Sequence, residues 1–441
     1  MRRIFPEYTY GPGPRDGCWW DQTCAIADRP SARGEITTDV VIIGAGFTGL
    51  SAALRLAEHG VSVCVLEAGY IGWGASGRNG GFCCLGGAKI GNPQLEQRFG
   101  VEGRKEWRQT EKAAVAFVSD LVKRLGVDVD RHSSGETQLA VRAKDLDDLR
   151  KEARHIEDDY GVLPEFHDEQ DLVRLGMGSS FAGGLTNPLG FGLNPRKYVS
   201  SLATAAEAAG AKIYNDTRAL NISDARGQYH VSTGAADVRA DQVVIATNGY
   251  TSEDLPGWVA GRYMPTQSTV MVTRPLTDQE LDAQGWTSDQ MSYDTRNLLH
   301  YFRLMPDRRF LFGTRGGLLA GPGTEARARR RVRRHFEEMF PAWRHVENAG
   351  SWSGMVCLAR DRLPYVGPVP DHPGMWAAMC YHGNGVAMGS LSGAILGDLI
   401  RGVSPAHYPV ALRTPLRKFP LGSQRRILMP AVYAGFALAD L

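Results

Sequence analysis

The chain contains no apolar run of about 18 residues, the length that a membrane-spanning helix needs. Its opening residues, Met-Arg-Arg-Ile-Phe-Pro-Glu-Tyr, lack the apolar core of a secretory signal, so a cytoplasmic protein with no integral membrane span is expected. Cysteine is scarce and odd in number: seven residues, at 18, 24, 64, 83, 84, 357 and 380, with no C-x-x-C pair. That pattern gives no disulfide framework and no metal site, and it suits a reducing compartment. A large excess of one charge is missing too. A net charge of +2 predicts no nucleic-acid partner. The one basic run, Arg327 to Arg334, leads into Phe336, Glu337, Glu338, Met339 and Phe340 and reads as the solvated face of a helix. Internal repeats and low-complexity tracts are absent. What is there is an ordinary globular composition, 43% hydrophobic and 22% charged over 441 residues, enough for two or three lobes.

The most informative stretch is residues 38–68. Val40 to Ile43 is a short apolar run of the kind found in buried parallel strands. Gly44, Gly46 and Gly49 follow in G-x-G-x-x-G spacing. Gly44 permits the tight turn, Gly46 lets a pyrophosphate approach the backbone, and Gly49 lets the next helix pack closely on the strand. The helix presents Leu50, Ala53, Leu54 and Ala57 inward and stops at Gly60. A second strand, Val61 to Leu66, ends at Glu67, 21 positions after Gly46, where a carboxylate accepts hydrogen bonds from the ribose hydroxyls of an adenosine. Strand, glycines, helix, strand and terminal acid in this order predict a bound dinucleotide.

Gly72 to Gly81 is too rich in glycine to be the interior of an element. Successive backbone N–H groups in such a loop form an anion cradle, with Arg78 and Asn79 as side-chain donors. The remaining periodicities divide the chain into an N-terminal nucleotide segment (1–92), helices and strands of a substrate lobe (93–194), a return to the nucleotide domain (195–254), an antiparallel sheet (255–350) and a closing segment (351–441) that brings a core strand at Gly374–Cys380 back to the first domain. The predicted fold is α/β: a discontinuous Rossmann-type dinucleotide-binding domain with a mixed or antiparallel-sheet substrate domain. A second strand–G-x-G-x-x-G–helix unit is missing, since Gly383 and Gly385 are followed by Gly389, one residue late. The dinucleotide is therefore either a nicotinamide hydride carrier or a resident FAD fed by substrate.

In order, the elements resemble the D-amino-acid oxidase-like group of FAD-dependent oxidoreductases, which includes glycine oxidase and sarcosine oxidase, and most nearly its gamma-glutamylputrescine oxidoreductase-like branch. The residues carrying the likeness are Val40–Gly49 with Glu67, Gly74-Ala-Ser-Gly-Arg-Asn-Gly-Gly81, Ala246-Thr-Asn-Gly-Tyr250, Tyr301-Phe-Arg303, Phe312-Gly-Thr-Arg315, Asp361-Arg-Leu-Pro-Tyr-Val-Gly367 and His382-Gly-Asn-Gly-Val-Ala387. The resemblance implies FAD contacts from Gly44, Gly46, Phe47, Thr48 and Gly49, and from Glu67 and Ala68 at the ribose. It implies that Ala75, Ser76, Arg78, Asn79, Gly80 and Gly81 run along the phosphates towards the flavin. Ala219, Thr247 and Gly354 complete the set, with Gly383, Asn384, Gly385, Val386, Ala387 and Met388 at the pyrimidine edge of the ring. A helix N-terminus there stabilises the negative charge of a reduced flavin.

Two departures matter. Gly354 stands where the covalent branch carries a cysteine seven residues before Asp361, so FAD is expected to be non-covalent, and Cys357 is a packing residue. No lysine occurs between Lys212 and Lys418, the region where sarcosine oxidase places its oxygen-activating lysine, which leaves the electron acceptor open. On the substrate side, Tyr301 and Arg303 share one face of a strand while His300 and Phe302 share the other. Arg303 suits a bidentate carboxylate clamp, Arg315 can fill the same role, and His382 opens a loop expected to touch the flavin. The implied activity is oxidation of the CH–NH bond of an amine or carboxylate-bearing amino acid to an imine, by a monomer or homodimer. A nicotinamide-linked dehydrogenase and a flavin-binding protein without turnover are the alternatives.

Overall fold

A computed structural model of the chain describes residues 1–440 apart from Ser179, Arg226 and Leu318. Among these residues two eight-stranded sheets dominate. In the first, Lys212–Tyr214, Val63–Leu66, Gly34–Ile43, Ala236–Ile245 and Met375–Met379 lie side by side and parallel, and Tyr365–Pro368 closes the edge in the antiparallel sense. Alternate residues feed two cores. Val40, Ile42, Val63 and Val65 meet the helices, while Val41, Ile43, Cys64 and Leu66 meet the layer that contains Tyr229 and Val231. Burial on both faces is why these strands read as unbroken apolar runs.

The helix Phe47–Ala57 begins directly after the glycine turn, and the last long helix, Ala387–Ile400, packs against it. Two glycines set that contact. A Cβ on Gly393 would stand 2.2 Å from the Thr48 carbonyl oxygen, and one on Gly397 would stand 2.8 Å from the Cβ of Arg55. The close approach brings two helix N-termini to one end of the parallel sheet, the end where ligands bind in open α/β sheets.

The second sheet runs Asn348–Ala359, Tyr263–Thr273, Phe310–Gly317, His300–Leu304, Met291–Asp294, Glu136–Ala140, Gly183–Asn187, Glu165–Asp168. It is mixed, because Met291–Asp294 pairs in parallel with Glu136–Ala140 and the other neighbours are antiparallel. One face buries Phe302, Phe310 and Phe312 against Phe336, Phe340 and Trp343 of the helix Pro322–Met339 and the turn after it. That helix carries the basic run, with Glu325, Val332 and Phe336 inward, Arg329 reaching in to pair with Glu325, and Arg333 paired with Glu337 nearer the surface. The strand Asn348–Ala359 crosses the boundary placed at 350/351 and stays in the second sheet to its end. Among the described residues no helix is long and apolar enough to cross a membrane, and no cluster of metal-ligating side chains occurs.

Candidate active site

A cavity of about 740 Å³ is lined by residues from the carboxyl ends of the parallel strands and from the second sheet. Of the positions put forward for the cofactor, all line it except Gly49, Gly81, Ala387 and Met388. These four act from behind the wall. A Cβ on Gly49 would stand 2.0 Å from the Gly44 carbonyl oxygen, one on Gly81 would stand 2.0 Å from that of Leu193, and Ala387 and Met388 form the buried first turn of the last long helix.

The dinucleotide end is a cradle of backbone. Gly44 has φ +107°, and a Cβ there would meet the Ala246 carbonyl oxygen at 2.9 Å. In neither the helix Phe47–Ala57 nor the helix Ala387–Ile400 does the N-cap residue's own side chain cap the end, so N–H groups of both first turns, that of Phe47 apart, can face an anion. The Phe47 N–H donates to Ser76 Oγ at 2.9 Å, which ties the glycine-rich loop to the first helix. Glu67 accepts from the N–H groups of Ala45 (2.8 Å) and Gly69 (3.0 Å), and burial pushes its carboxyl pKa up. Asn79 differs from expectation. Its amide donates to the carbonyls of Ala75 and Ser76 and its Oδ1 accepts from the Gly81 N–H, so the side chain shapes the loop and has no donor left for a cofactor. Ala68 and Ala219 line the neighbouring wall, and Thr247 hydrogen-bonds Thr251 at 2.5 Å.

The residues present fit FAD, and Arg78 is the clearest sign. Its side chain is 2% exposed, packs over the Trp73 ring at 4.2 Å and donates from Nε to the Trp73 carbonyl. Its Nη2 has no hydrogen-bond partner, and burial depresses the guanidinium pKa. A buried cation without a carboxylate calls for an anionic ligand. Gly354 faces this arginine, with a virtual Cβ 3.3 Å from that of Arg78.

Beyond the cradle lies the substrate end. Tyr301 rests over Gly313 and Gly80 and shares a hydrogen bond of 2.9 Å with Ser268 Oγ. Arg315 lies against the Gly383 turn, where a Cβ on Gly383 would stand 2.8 Å from its Nη2, and its hydrogen-bond partner is Asn384 Oδ1 at 3.4 Å. Asn384 holds this turn to the neighbouring loop by donating to the Leu85 carbonyl at 2.7 Å. His382 is 2% exposed and has φ +53°. Its Nε2 accepts from the Ala359 N–H at 3.3 Å, and burial, with Lys89 and Arg315 nearby, pushes its pKa down to about 3. His382 is thus a neutral, hydrogen-bonded residue that pins the turn.

Arg303 does not reach the cavity. It shares the face of Tyr301 as the alternation predicted, but it is fully buried behind Gly81, where Nη1 meets His132 Nε2 at 2.8 Å and Nη2 donates to the Leu193 carbonyl at 2.8 Å. Its Nη1 and Nη2 are held by the scaffold and its Nε is buried without a partner, so of the two arginines put forward only Arg315 lines the cavity. Two residues that sequence reasoning missed take its place at the site. Lys89 and Glu136 both face the cavity, Lys89 from the loop after Phe82–Cys84 and Glu136 from the start of its strand. Lys89 is exposed towards the cavity, and the charge of Arg315 together with reduced hydration pushes its amine pKa down to about 7. A lysine after a glycine-rich loop carries no periodic signal that could have marked it.

Comparison with known proteins agrees with this arrangement. The chain is 29% identical over 428 residues to a probable oxidoreductase OrdL of Rhizobium meliloti, covering 96% of this chain and 97% of the relative. It is 28% identical over 404 residues to the gamma-glutamylputrescine oxidoreductase of Escherichia coli, covering 91% and 92%. The crystal structure of glycine oxidase from Geobacillus kaustophilus matches 87% of this chain and 100% of its own with a TM-score of 0.70 at 21% identity, which shows a shared fold. Residues 39–399 match the model of the FAD dependent oxidoreductase family, which removes the nicotinamide alternative. With its glycine turn, its unpaired Arg78 and this match across most of its length, the chain belongs to the family of FAD-dependent oxidoreductases.

Proposed function

We propose that the protein oxidises the CH–NH bond of a carboxylate-bearing amine or amino acid to an imine, which water then hydrolyses. Bound FAD supplies the hydride acceptor and passes the electrons to dioxygen or another acceptor. The observation that carries this reading is Arg315. Its guanidinium lines the cavity beside the Gly383 turn, meets no carboxylate among the described residues, and has its pKa lowered by burial. A substrate carboxylate seated there satisfies this half-buried cation and fixes the adjacent amine at the turn. The positive charge of Arg315, joined by Lys89 when protonated, also favours the neutral form of that amine, the form that can give up hydride. Tyr301 and the apolar wall around it keep water from the reacting carbon. The reading does not need a strong general base, in keeping with a His382 held neutral. Gly354 offers no thiol, which supports non-covalent attachment.

Steady-state kinetics of Arg315→Met test the assignment. Loss of a charge-assisted pair costs about 1.5–3 kcal/mol, so kcat/KM for amino acids is expected to fall roughly tenfold to hundredfold, with flavin content unchanged. Wild-type efficiency in that variant would remove the anchor from Arg315.

A further inference from the structure

The cavity does not end at Arg315. Beyond it a polar chamber continues between the second sheet and the helices Asn92–Leu125 and Leu146–Tyr160, lined by Lys89, Glu136, Gln138 and Tyr293. Strand register places these side chains in order. Tyr301 pairs with Tyr293, Tyr293 with Gln138, and Glu136 lies two residues before Gln138 on the same face. Two strand spacings separate Tyr301 from Gln138, so Glu136 stands roughly 10 Å or more from the reacting end.

The chamber's carboxylates differ in what they already hold. Glu111 accepts at Oε2 from Arg108 Nη1 and from the Tyr160 hydroxyl, both at 2.8 Å, and so already has a cationic partner. Glu152 sits at the outer rim, 52% exposed, beside His155 at 3.5 Å. Glu136 makes no ion pair among the described residues, and its close neighbour is the Cys84 thiol. Burial raises its carboxyl pKa to about 7, as expected for an acid without a counter-ion in a partly dry chamber. The Lys89 amine makes no hydrogen bond or ion pair among the described residues, and it lies within electrostatic reach of both Arg315 and Glu136. From the flavin end outward the wall therefore runs from cationic to acidic.

Resting on the reading of Arg315 as carboxylate anchor, we propose that Glu136 selects substrates with a second, cationic nitrogen beyond the carboxylate, so that the substrate class is diamino acids and related dipolar diamines. The carboxylate lies between Arg315 and Lys89, and the far ammonium reaches Glu136 beside the Tyr293 ring, where a cation is also favoured by the aromatic face. Such a ligand neutralises in one molecule both unpartnered groups of the chamber. An uncharged side chain of the same length leaves the half-buried Glu136 without a cationic partner, which is how a polar pocket rejects an apolar analogue.

Matched pairs test this on the FAD-loaded enzyme. Free lysine against norleucine, and ornithine against norvaline, each as both enantiomers, are titrated anaerobically while flavin absorbance is followed, for binding and for bleaching. The expected result is at least tenfold tighter binding of the diamino acid in one of the pairs. Glu136→Gln should abolish that preference by weakening lysine binding and strengthening norleucine binding, with flavin content as the check that the fold is intact, and Glu136→Asp should keep part of it. Equal affinities in the wild type, or a preference that survives Glu136→Gln, would overturn the proposal. The two readings fail separately. Bleaching by norleucine as readily as by lysine sinks the Glu136 subsite and keeps the oxidation, whereas tight lysine binding that never bleaches the flavin keeps the subsite and sinks the oxidation.

Discussion

The backbone N–H of Cys380 donates to Asn248 Oδ1 at 2.9 Å, joining the turns that leave two adjacent parallel strands. Both residues have positive φ, +72° at Cys380 and +45° at Asn248, a conformation that asparagine tolerates and most side chains resist. The bond holds the Thr247 turn against the Tyr381–Gly385 turn, and both line the cavity. Asn248→Ala loses the bond and the tolerance together. A buried donor left unpaired costs about 1–3 kcal/mol, so FAD affinity measured by flavin fluorescence should fall roughly tenfold or more.

Gly46 and Gly49 should fail in different ways. A Cβ on Gly46 would stand 2.8 Å from Ser76 Oγ, a side chain that can rotate away, so Gly46→Val should purify folded and without flavin. A Cβ on Gly49 would stand 2.0 Å from the backbone oxygen of Gly44, which cannot. Gly49→Ala should therefore lower the stability of the fold by about 1–3 kcal/mol, readable in denaturant.

Arg303→Met is expected to destabilise the protein by about 1–3 kcal/mol, because it leaves the Leu193 carbonyl and His132 Nε2 without their buried donor. Its effect on selectivity for carboxylate-bearing substrates should be nil. A loss of selectivity at unchanged stability, seen in kinetics and thermal melts, would return the clamp to Arg303.

Arg303 also shows where sequence reading runs out. Alternation along His300–Leu304 correctly places Tyr301 and Arg303 on one face, since strand geometry is local. Whether that face opens to a cavity at residue 301 or is sealed at residue 303 depends on Gly81 and Leu193, which arrive from distant parts of the chain. The glycine turn and Glu67 were legible for the same local reason: strand, turn and helix are contiguous. Lys89 and Glu136 were not, because they meet only when the loop after Cys84 folds against the second sheet. The stretch between Lys212 and Lys418 holds no lysine, whereas Lys89 enters the cavity from a loop far from that stretch in sequence.

Lys89 gives a pH signature. Its amine titrates near 7 in the folded protein against 10.5 for a free lysine. Between these values the unfolded chain holds the extra proton, so this residue's contribution to stability is present above pH 10.5 and is lost as pH falls through 7. Lys89→Met removes that slope. Its melting temperature should exceed the wild type's at pH 6 by more than at pH 10. An equal offset at both values would show that Lys89 titrates normally.

Gly354 predicts how the flavin leaves. Acid precipitation should give a yellow supernatant and a colourless pellet, with Cys357 and Cys380 remaining as a buried pair of thiols whose sulfur atoms lie 3.5 Å apart. A yellow pellet would mean a covalent tether, and mass spectrometry of the flavin-bearing peptide would name the residue.

The central claim is that an amine held by Arg315 delivers hydride to FAD. Anaerobic mixing of the FAD-loaded protein with a panel of amino acids and simple amines, followed by absorbance, tests it most directly. The account predicts that the flavin bleaches with carboxylate-bearing amines, that admitting an electron acceptor restores the colour, and that Arg315→Met slows bleaching without changing flavin content. A flavin that stays oxidised with every amine, or that bleaches as fast in Arg315→Met as in the wild type, would contradict it.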